Sequence, residues 1–570
     1  MADKFQVTGK NAAAPFTLKI HRGDGMALLA MNWKNGTPPQ DFAGFAIEYK
    51  EPGGDKFYAL KNRICFPGVD TGYANRLSTI LSPIQKFRWV HFPRNAELPG
   101  EFVYKVTPVF MNDLDELSYG EAQEAAIELR RETYPGLLNV SFTRGFVSSQ
   151  AFVDRYETKG PISTLLPENA DEGLTFVPTH PKAAEALEWM GFEARDVILE
   201  VLDQAIADAG AQVRVVAYDL NEPGMVTRLE QLGNRLKIII DDDAAHGEPG
   251  SAETQAETRL VASAGRQNVK RQHMGKLQHN KTIVVDGPQV QAAVCGSTNF
   301  SWRGFFVQSN NAVVLRGKNP VKLFLAAFDN YWANDSVAGF GKTDSAQWAN
   351  LGLKGITARV GFSPHASENA LLDQIAGDID LNTKSSLFYS LAFLYQTTGP
   401  ILDAIQKVTN DENIFVYGIS DRKVGGINLQ KPNGNITPVY PSALKKYLPE
   451  PFKTEPTGGG GARMHHKFIV IDFDKPTARV YLGSYNFSPS ADTKNGENLL
   501  LIRNRRVAVS YMVEALRIFD HYHFRVAQQE AQLAKKKLEL AKPPRQAGEK
   551  PWWDEHYTDA RKIRDRELFA

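Results

Sequence analysis

The spacing of hydrophobic and polar positions changes character along the chain. Up to about residue 130, short runs rich in aromatic and β-branched residues, MALLAMNW (26–33), FAGFAIEY (42–49), KFRWVHF (86–92) and EFVYKVTPVF (101–110), alternate with clusters of Pro, Gly, Asn and Asp. Seven or so such runs in about 100 residues predict an all-β sandwich over 1–130. RRETYPGLL (130–138) reads as the exit linker. From about 140 the period lengthens. ARDVILEVLDQAIADA (194–209) reads as helix, and QVRVVAYDL (212–220) and LKIIID (236–241) as strands. The same succession returns in SENALLDQIAGDI (367–379, helix), SLFYSLAFLY (386–395, strand), GPILDAIQKV (399–408, helix) and NIFVYGISD (413–421, strand). This internal duplication predicts two α/β lobes, 140–345 and 350–525, each a sheet covered by helices. A C-terminal segment, 526–570, holds a helix-like stretch (526–541), then Pro543-Pro544 and an aromatic, charged tail.

Each half runs into the same motif. The first is His279-Asn280-Lys281, four apolar or small residues, then Asp286; the second is His465-His466-Lys467, four apolar residues, then Asp472. In a strand, residues two apart share a face, so His and Lys of each motif point the same way and His466 points the other way. Gly296-Ser297-Thr298-Asn299 follows Asp286 by ten residues, and Gly483-Ser484-Tyr485-Asn486 follows Asp472 by eleven. Glycine allows close approach to a ligand, and Ser and Asn supply short hydrogen-bonding groups. One H-x-K is a weak signal; two complete sets at matched places in a repeat are a strong one. The halves differ fourteen residues past the motif glycine, where the second has Glu497 and the first Asn310. Asp286 and Asp472 read as structural groups at buried strand ends. No Cys/His/carboxylate set at ligand spacing accompanies the motifs, and Lys beside His repels a cation, so no metal is expected.

Two polar stretches interrupt the repeats, 242–278 and 422–464, and read as long loops; the second ends in GGGGAR (458–463). Arg259, Arg266, Lys270, Arg271 and Lys276 lie in the first with no acidic residue among them, a candidate track for a phosphate backbone. His246 reads as a loop residue. The net charge of +1 gives no global sign of a polyanion partner, so any basic surface must be local. Hydrophobic residues at 42% and charged residues at 23% fit a globular chain of about three domains. Two isolated cysteines, Cys65 and Cys295, form no framework and read as small buried hydrophobes, compatible with a reducing cytoplasm. MADKFQVTGK is no secretory signal, and no run of about 18 apolar residues predicts a membrane span.

The doubled H-x-K-x4-D followed by G-S-x-N resembles the signature of the phospholipase D superfamily, over roughly 140–525. The N-terminal sandwich resembles a fibronectin type III module, with Trp33 on an early strand and Tyr104 on a late one. The first resemblance implies two α/β lobes about a pseudo-twofold axis, with an active site between them complete in one chain. It also implies cofactor- and metal-independent attack on phosphorus by one histidine. Lys281 and Lys467 then neutralise the non-bridging oxygens, and Asn299 and Asn486 add hydrogen bonds. One histidine forms a phosphohistidine; the other protonates the leaving oxygen and later activates water. A carboxylate such as Glu497 orients one histidine, supported by Ser297 and Ser484 nearby. Two-motif relatives use the N-terminal histidine as nucleophile, which points to His279. Three functions stay open. A nuclease is suggested by GSYNFSPSADTKNGENLLLI and the basic stretch. A phospholipase D is suggested by the large loops and by Trp552, Trp553 and Tyr557 at a lipid interface. The third is a scaffold carrying an inactive repeat. The sandwich is a candidate surface for a protein partner.

Overall fold

The aromatic segments near the N-terminus pair into two sheets. The computed structural model describes residues 4–68, 78–93, 95–129, 132–145, 152, 155–392, 394, 399–421, 427–430, 436–439 and 464–570. One sheet joins β1 (Gln6–Thr8), β2 (Phe16–Gly23), β3 (Met26–Trp33) and, beyond the intervening β4 (Phe42–Lys50) and β5 (Tyr58–Ala59), β6 (Arg88–His91). The other joins β5, β4, β7 (Glu101–Met111) and β8 (Leu117–Tyr119), with β9 (Gln123–Glu128) also on β7. Alternate residues of both sheets, Phe16, Leu18 and Ile20 from one and Phe45, Ile47 and Tyr104 from the other, share one core. The aromatic tail joins that core: Trp553 is buried, Trp552 stacks on Phe87, and its Nε1 donates to Phe42 O at 3.1 Å. These rings are therefore committed to packing rather than to a lipid interface. The 526–541 stretch is not a separate helix. It continues the helix Arg505–Leu533, which stops at Leu533.

Two units result. One comprises Met1–Arg131, Met512–Arg517 and His523–Ala570; the other comprises Glu132–Tyr511 and Ile518–Tyr522 and contains both repeats.

In the first repeat the strands are β10 (Leu138–Phe142), β11 (Gln212–Ala217), β12 (Leu236–Ile240), β13 (Val269–Arg271), β14 (Thr282–Asp286), β15 (Gln291–Gly296) and β16 (Asn311–Arg316). They stand in the order β10-β16-β15-β14-β11-β12-β13. The second repeat has β17 (Ala349–Asn350), β18 (Thr357–Ser363), β19 (Ser386–Leu391), β20 (Phe415–Asp421), β21 (Ile427–Gln430), β22 (Ile436–Val439), β23 (Lys467–Ile471), β24 (Arg479–Gly483) and β25 (Glu497–Arg503). Its order is β17-β18-β25-β24-β23-β19-β20-β21-β22. Six strands thus follow one order in both sheets, from β10 to β12 and from β18 to β20. The run after each H-x-K becomes a central strand, β14 or β23, whose apolar side chains are buried on both faces. Each fully buried Val or Ile there contributes roughly 1.5–3 kcal/mol. The helices Ala183–Ala207 and Lys318–Ala333 cover the first sheet; Leu372–Asn382 and Pro400–Thr409 pack Ile375, Ile379, Ile401 and Ile405 under the second.

The stretch 242–278 is not one loop. Ser251 caps a helix, Ala252–Ala264, by accepting from Thr254 N–H at 3.2 Å, and β13 follows. Ala252, Ala256, Leu260 and Ala264, four residues apart, are its buried face. That stripe, three alanines and one leucine, is a weak hydrophobic signal inside a polar stretch. Most of the second stretch, 422–464, lies outside the described residues. Cys295 is buried, while Cys65 is half-buried. Among the described residues no helix is long and apolar enough to cross a membrane.

Candidate active site

β14 begins at the residue after its motif lysine and β23 at its own motif lysine, and the residues just before them meet. His279 and His465 lie with ring centres 6.1 Å apart, both buried. Each histidine is held by the other lobe. His279 Nδ1 donates to Glu497 Oε2 at 2.8 Å, while Oε1 lies at 3.0 Å. His465 Nδ1 faces Asn310 Oδ1 at 2.8 Å and Ser297 O at 3.1 Å. The residues between His and Lys make the same exchange. Asn498 Nδ2 donates to Asn280 Oδ1 at 3.1 Å, and His466 Nδ1 lies 3.4 Å from Asn311 Nδ2.

The motif serines fix these partners. Ser484 Oγ donates to Glu497 Oε2 at 2.7 Å, and Asn495 Nδ2 reaches Oε1 at 3.2 Å. Ser297 Oγ donates to Asn310 Oδ1 at 3.0 Å, while Asn310 Nδ2 donates to Gly304 O at 2.9 Å. Asn310 therefore presents its oxygen to His465, which must carry the proton on Nδ1. In both rings Nε2 is left for chemistry. The motif glycines act differently from the sequence expectation. At φ +128° and +148°, a Cβ on Gly296 or Gly483 would fall 2.5 Å from Asn311 O or 2.2 Å from Asn498 O. They let the next strand pass close, rather than a ligand.

Lys281 and Lys467 turn back to donate to His279 O and His465 O, the second at 2.7 Å. Burial pushes Lys281 down to about 8, against the pull of Glu497, Asp219 and Asp241. Burial likewise lowers His279; Glu497 opposes it, and Lys281 and Lys467 add to it. His465 is lowered further, by burial, Lys467, Lys281 and the other histidine, against the hydrogen bond to Ser297 O. Asn299 Nδ2 donates to Asp219 Oδ2 at 2.6 Å. Asn299 Oδ1 and Asn486 Oδ1 are buried without a hydrogen-bond partner among the described residues. The two motif aspartates differ. Asp472 is buried and accepts backbone N–H groups of Lys384 (3.0 Å), Ser385 (2.8 Å) and Ser386 (3.2 Å). Asp286, expected at a buried strand end, is exposed, because β14 ends at solvent there.

A further group lies beside His279 that sequence reading placed in a loop. The Tyr218 ring stands edge-on between His246 and His279, at 4.5 and 4.7 Å, with Lys281 Nζ 4.7 Å from its centre. His246 Nδ1 lies 2.8 Å from Asp241 Oδ1 and its Nε2 3.2 Å from Asp219 Oδ1. Burial opposes a charge on this ring, yet hydrogen bonds to Asp219 and Asp241 outweigh it and raise His246 to about 10. Asp219, His246 and Glu253 bring ligand atoms within 4.8 Å of one another, a His/carboxylate set that sequence spacing conceals. Both ring nitrogens already face carboxylates, which suits an imidazolium rather than a metal ligand. Asp219 and Asp241 follow β11 and β12, at the carboxyl ends of parallel strands where α/β sites gather; that rule could have found them.

Four of the five cations of the basic stretch are ion-paired, with three carboxylates between them. Arg259 pairs with Glu230 (2.6 Å), Arg266 with Glu257, Arg271 with Glu257 (3.2 Å) and Lys270 with Asp335 (2.6 Å). A row of cations without acids in sequence is largely an ion-pair network in space, which weakens the argument for a phosphate track.

Residues 202–332 and 379–519 match the family model described as cardiolipin synthase, PLD-like domain. A phospholipase D of Rickettsia prowazekii (strain Madrid E) is 48% identical over 48 residues, 8% of this chain and 22% of that one; the match spans about a fifth of the relative's length. Among solved structures, phosphatidylserine synthase of Haemophilus influenzae Rd KW20 aligns at 15% identity and TM-score 0.40, over 60% of this chain and 92% of that one. Nuc of Salmonella typhimurium, a phospholipase D family member, aligns at 27% identity and TM-score 0.20, over 24% and 86%. The two matched segments carry one H-x-K-x4-D motif each, so each repeat is a phospholipase D-like domain.

Proposed function

We propose that the protein is a metal-independent phosphodiesterase working through a covalent phosphohistidine on His279. The observation that carries this reading is the convergence of His279 and His465 at 6.1 Å, each oriented by a residue of the opposite lobe. The lone pair of His279 Nε2 attacks phosphorus while the P–O bond to the leaving group breaks. That oxygen takes the proton of His465 Nε2. Bonding to phosphorus makes His279 cationic, and Glu497 at 2.8 Å stabilises the charge. Water then attacks, His465 takes its proton, the N–P bond breaks and its electron pair returns to His279. Lys281, Lys467, Asn299 and Asn486 are the groups for the non-bridging oxygens. The shared strand order and the reciprocal histidine partners support two lobes related by a pseudo-twofold axis.

Two substrate classes were legible in the sequence. Pairing of Arg259, Arg266, Lys270 and Arg271 with carboxylates weakens the nucleic-acid reading. The matched domain description and the phospholipase D relative favour phospholipid headgroups. A panel of single- and double-stranded DNA, RNA and phosphatidylcholine, each with EDTA, tests both the class and the mechanism. Activity on the lipid should survive chelation. Loss on chelation, restored by zinc or magnesium, contradicts the mechanism, and turnover of nucleic acid alone reverses the substrate.

The pH profile follows from the two lowered histidines. The free enzyme must hold His279 neutral and His465 protonated, and both sit below 6.5. Because His465 titrates below His279, that form is a minority state, and kcat/KM is a bell whose acid limb follows His465 and whose alkaline limb follows His279. Its optimum should therefore lie below pH 6.5. A bound phosphodiester places an anion beside His465, Lys281 and Lys467, raising His465. The alkaline limb of kcat should lie above that of kcat/KM. Coincident limbs, or an optimum of kcat/KM above 7, contradict this assignment.

A further inference from the structure

Tyr218, Asp219, Asp241 and His246 belong to the first lobe's half of the site. By register, Val216 of β11 stands opposite Thr282, and Ser390 of β19 opposite Phe468. Asp219 follows Val216 by three residues, and the residue three after Ser390 in the sequence is a phenylalanine. The second lobe carries no carboxylate at that place.

The hydrogen bonds of the first-lobe group run in two directions from one ring. Asp241 is fully buried; its Oδ1 faces His246 Nδ1, while its Oδ2 accepts the N–H of Gln278, the residue before His279, at 2.6 Å. Asp219 Oδ1 faces His246 Nε2, while its Oδ2 accepts Asn299 Nδ2 at 2.6 Å and lies 3.5 Å from Ser301 Oγ. The two carboxylates thus anchor the two segments that supply His279 and Asn299. Without a cation between them they would repel.

We propose that His246, as an imidazolium bridging Asp219 and Asp241, is a positioning residue that holds Asn299 and the chain entering His279 in register with the phosphoryl group. This rests on the phosphodiesterase reading of the site. The surrounding groups fit a fixed positive charge. Glu253, from the helix Ala252–Ala264, faces the ring, and Lys281 balances Asp219 on its other side. Arg271 Nη2 donates to Asp241 O at 2.9 Å and His246 O at 2.6 Å, fixing the backbone behind the ring. Hydrogen bonds to both carboxylates hold the proton well above neutrality. The ring's edge reaches solvent, at 16% side-chain exposure, so a small molecule can replace it.

The test uses the full chain, His246→Gly and His246→Gln, with bis(p-nitrophenyl) phosphate and EDTA. In His246→Gly, kcat should fall about 10²-fold, the scale of one misplaced transition-state donor, with KM changed less than about threefold. Added imidazole should restore at least about tenfold of that loss, saturably, and more near pH 6 than near pH 8, where less of it is imidazolium. His246→Gln, whose side chain fills the space, should lose kcat and not respond to imidazole. A folded His246→Gly with wild-type kcat overturns the proposal, and so does a loss that imidazole does not restore. Should the wild-type chain hydrolyse no phosphodiester, the functional reading fails and calorimetric binding of tungstate decides the role of His246. About tenfold weaker binding in His246→Gly, restored by imidazole, supports it; equal binding, or none by the wild-type chain, overturns it.

Discussion

Replacing His279 by Asn should lower phosphodiester turnover by about 10⁴-fold or more, and replacing His465 by Asn should lower it by about 10²–10⁴-fold. Asparagine keeps a polar group near each partner, so both variants should melt within a few degrees of the wild-type chain. The two losses differ in kind. Without His279 no N–P bond forms, whatever the leaving group. Without His465 the leaving oxygen departs as an anion, which nitrophenolate tolerates and an alkoxide does not. His465→Asn should therefore lose far less in the first step with a nitrophenyl ester than with an alkyl ester. Hydrolysis of the intermediate would still lack its base, so phosphoenzyme should accumulate after a burst of one nitrophenol per chain. Equal losses on both esters for both variants would remove the division of labour.

Glu497→Gln should cost about 10²–10⁴-fold in kcat while leaving KM nearly unchanged, since the carboxylate's charge matters most once His279 is cationic. In the resting site Glu497 opposes the lowering of His279 by burial and by Lys281 and Lys467. Removing that anion makes His279 harder to protonate. The alkaline limb of kcat/KM, which His279 sets as the higher-titrating of the two histidines, should therefore move to lower pH in the variant. An unmoved limb would mean that the carboxylate does not sense the proton on His279, whatever the hydrogen-bond distance. A limb that rose would contradict the electrostatics outright.

Much of this site could be read from the chain because a repeat supplies its own control. Glu497 and Asn310 stand at the same offset from Gly483 and Gly296, so their difference in charge was visible in sequence. Which histidine each one meets was not, because that depends on how the lobes face. Tertiary neutralisation was also hidden. Glu230 and Asp335 lie 29 and 65 residues from Arg259 and Lys270, so a local count of charges reported a basic stretch. His246 was misread for the same reason, its partners Asp219 and Asp241 being brought to it by β11 and β12. The helix Ala252–Ala264 was missed because its buried stripe is mostly alanine, too weak a hydrophobic signal against its polar neighbours.

The central claim is that His279 carries the phosphoryl group. The direct measurement is to mix the wild-type chain, or His465→Asn, with a radiolabelled nitrophenyl diester, quench during the burst, digest at alkaline pH and sequence the labelled peptide. The account predicts one alkali-stable label on the peptide that carries His279, absent from His279→Asn. Label on the peptide that carries His465 would reverse the roles of the two histidines, and turnover with no labelled peptide at all would contradict the covalent mechanism.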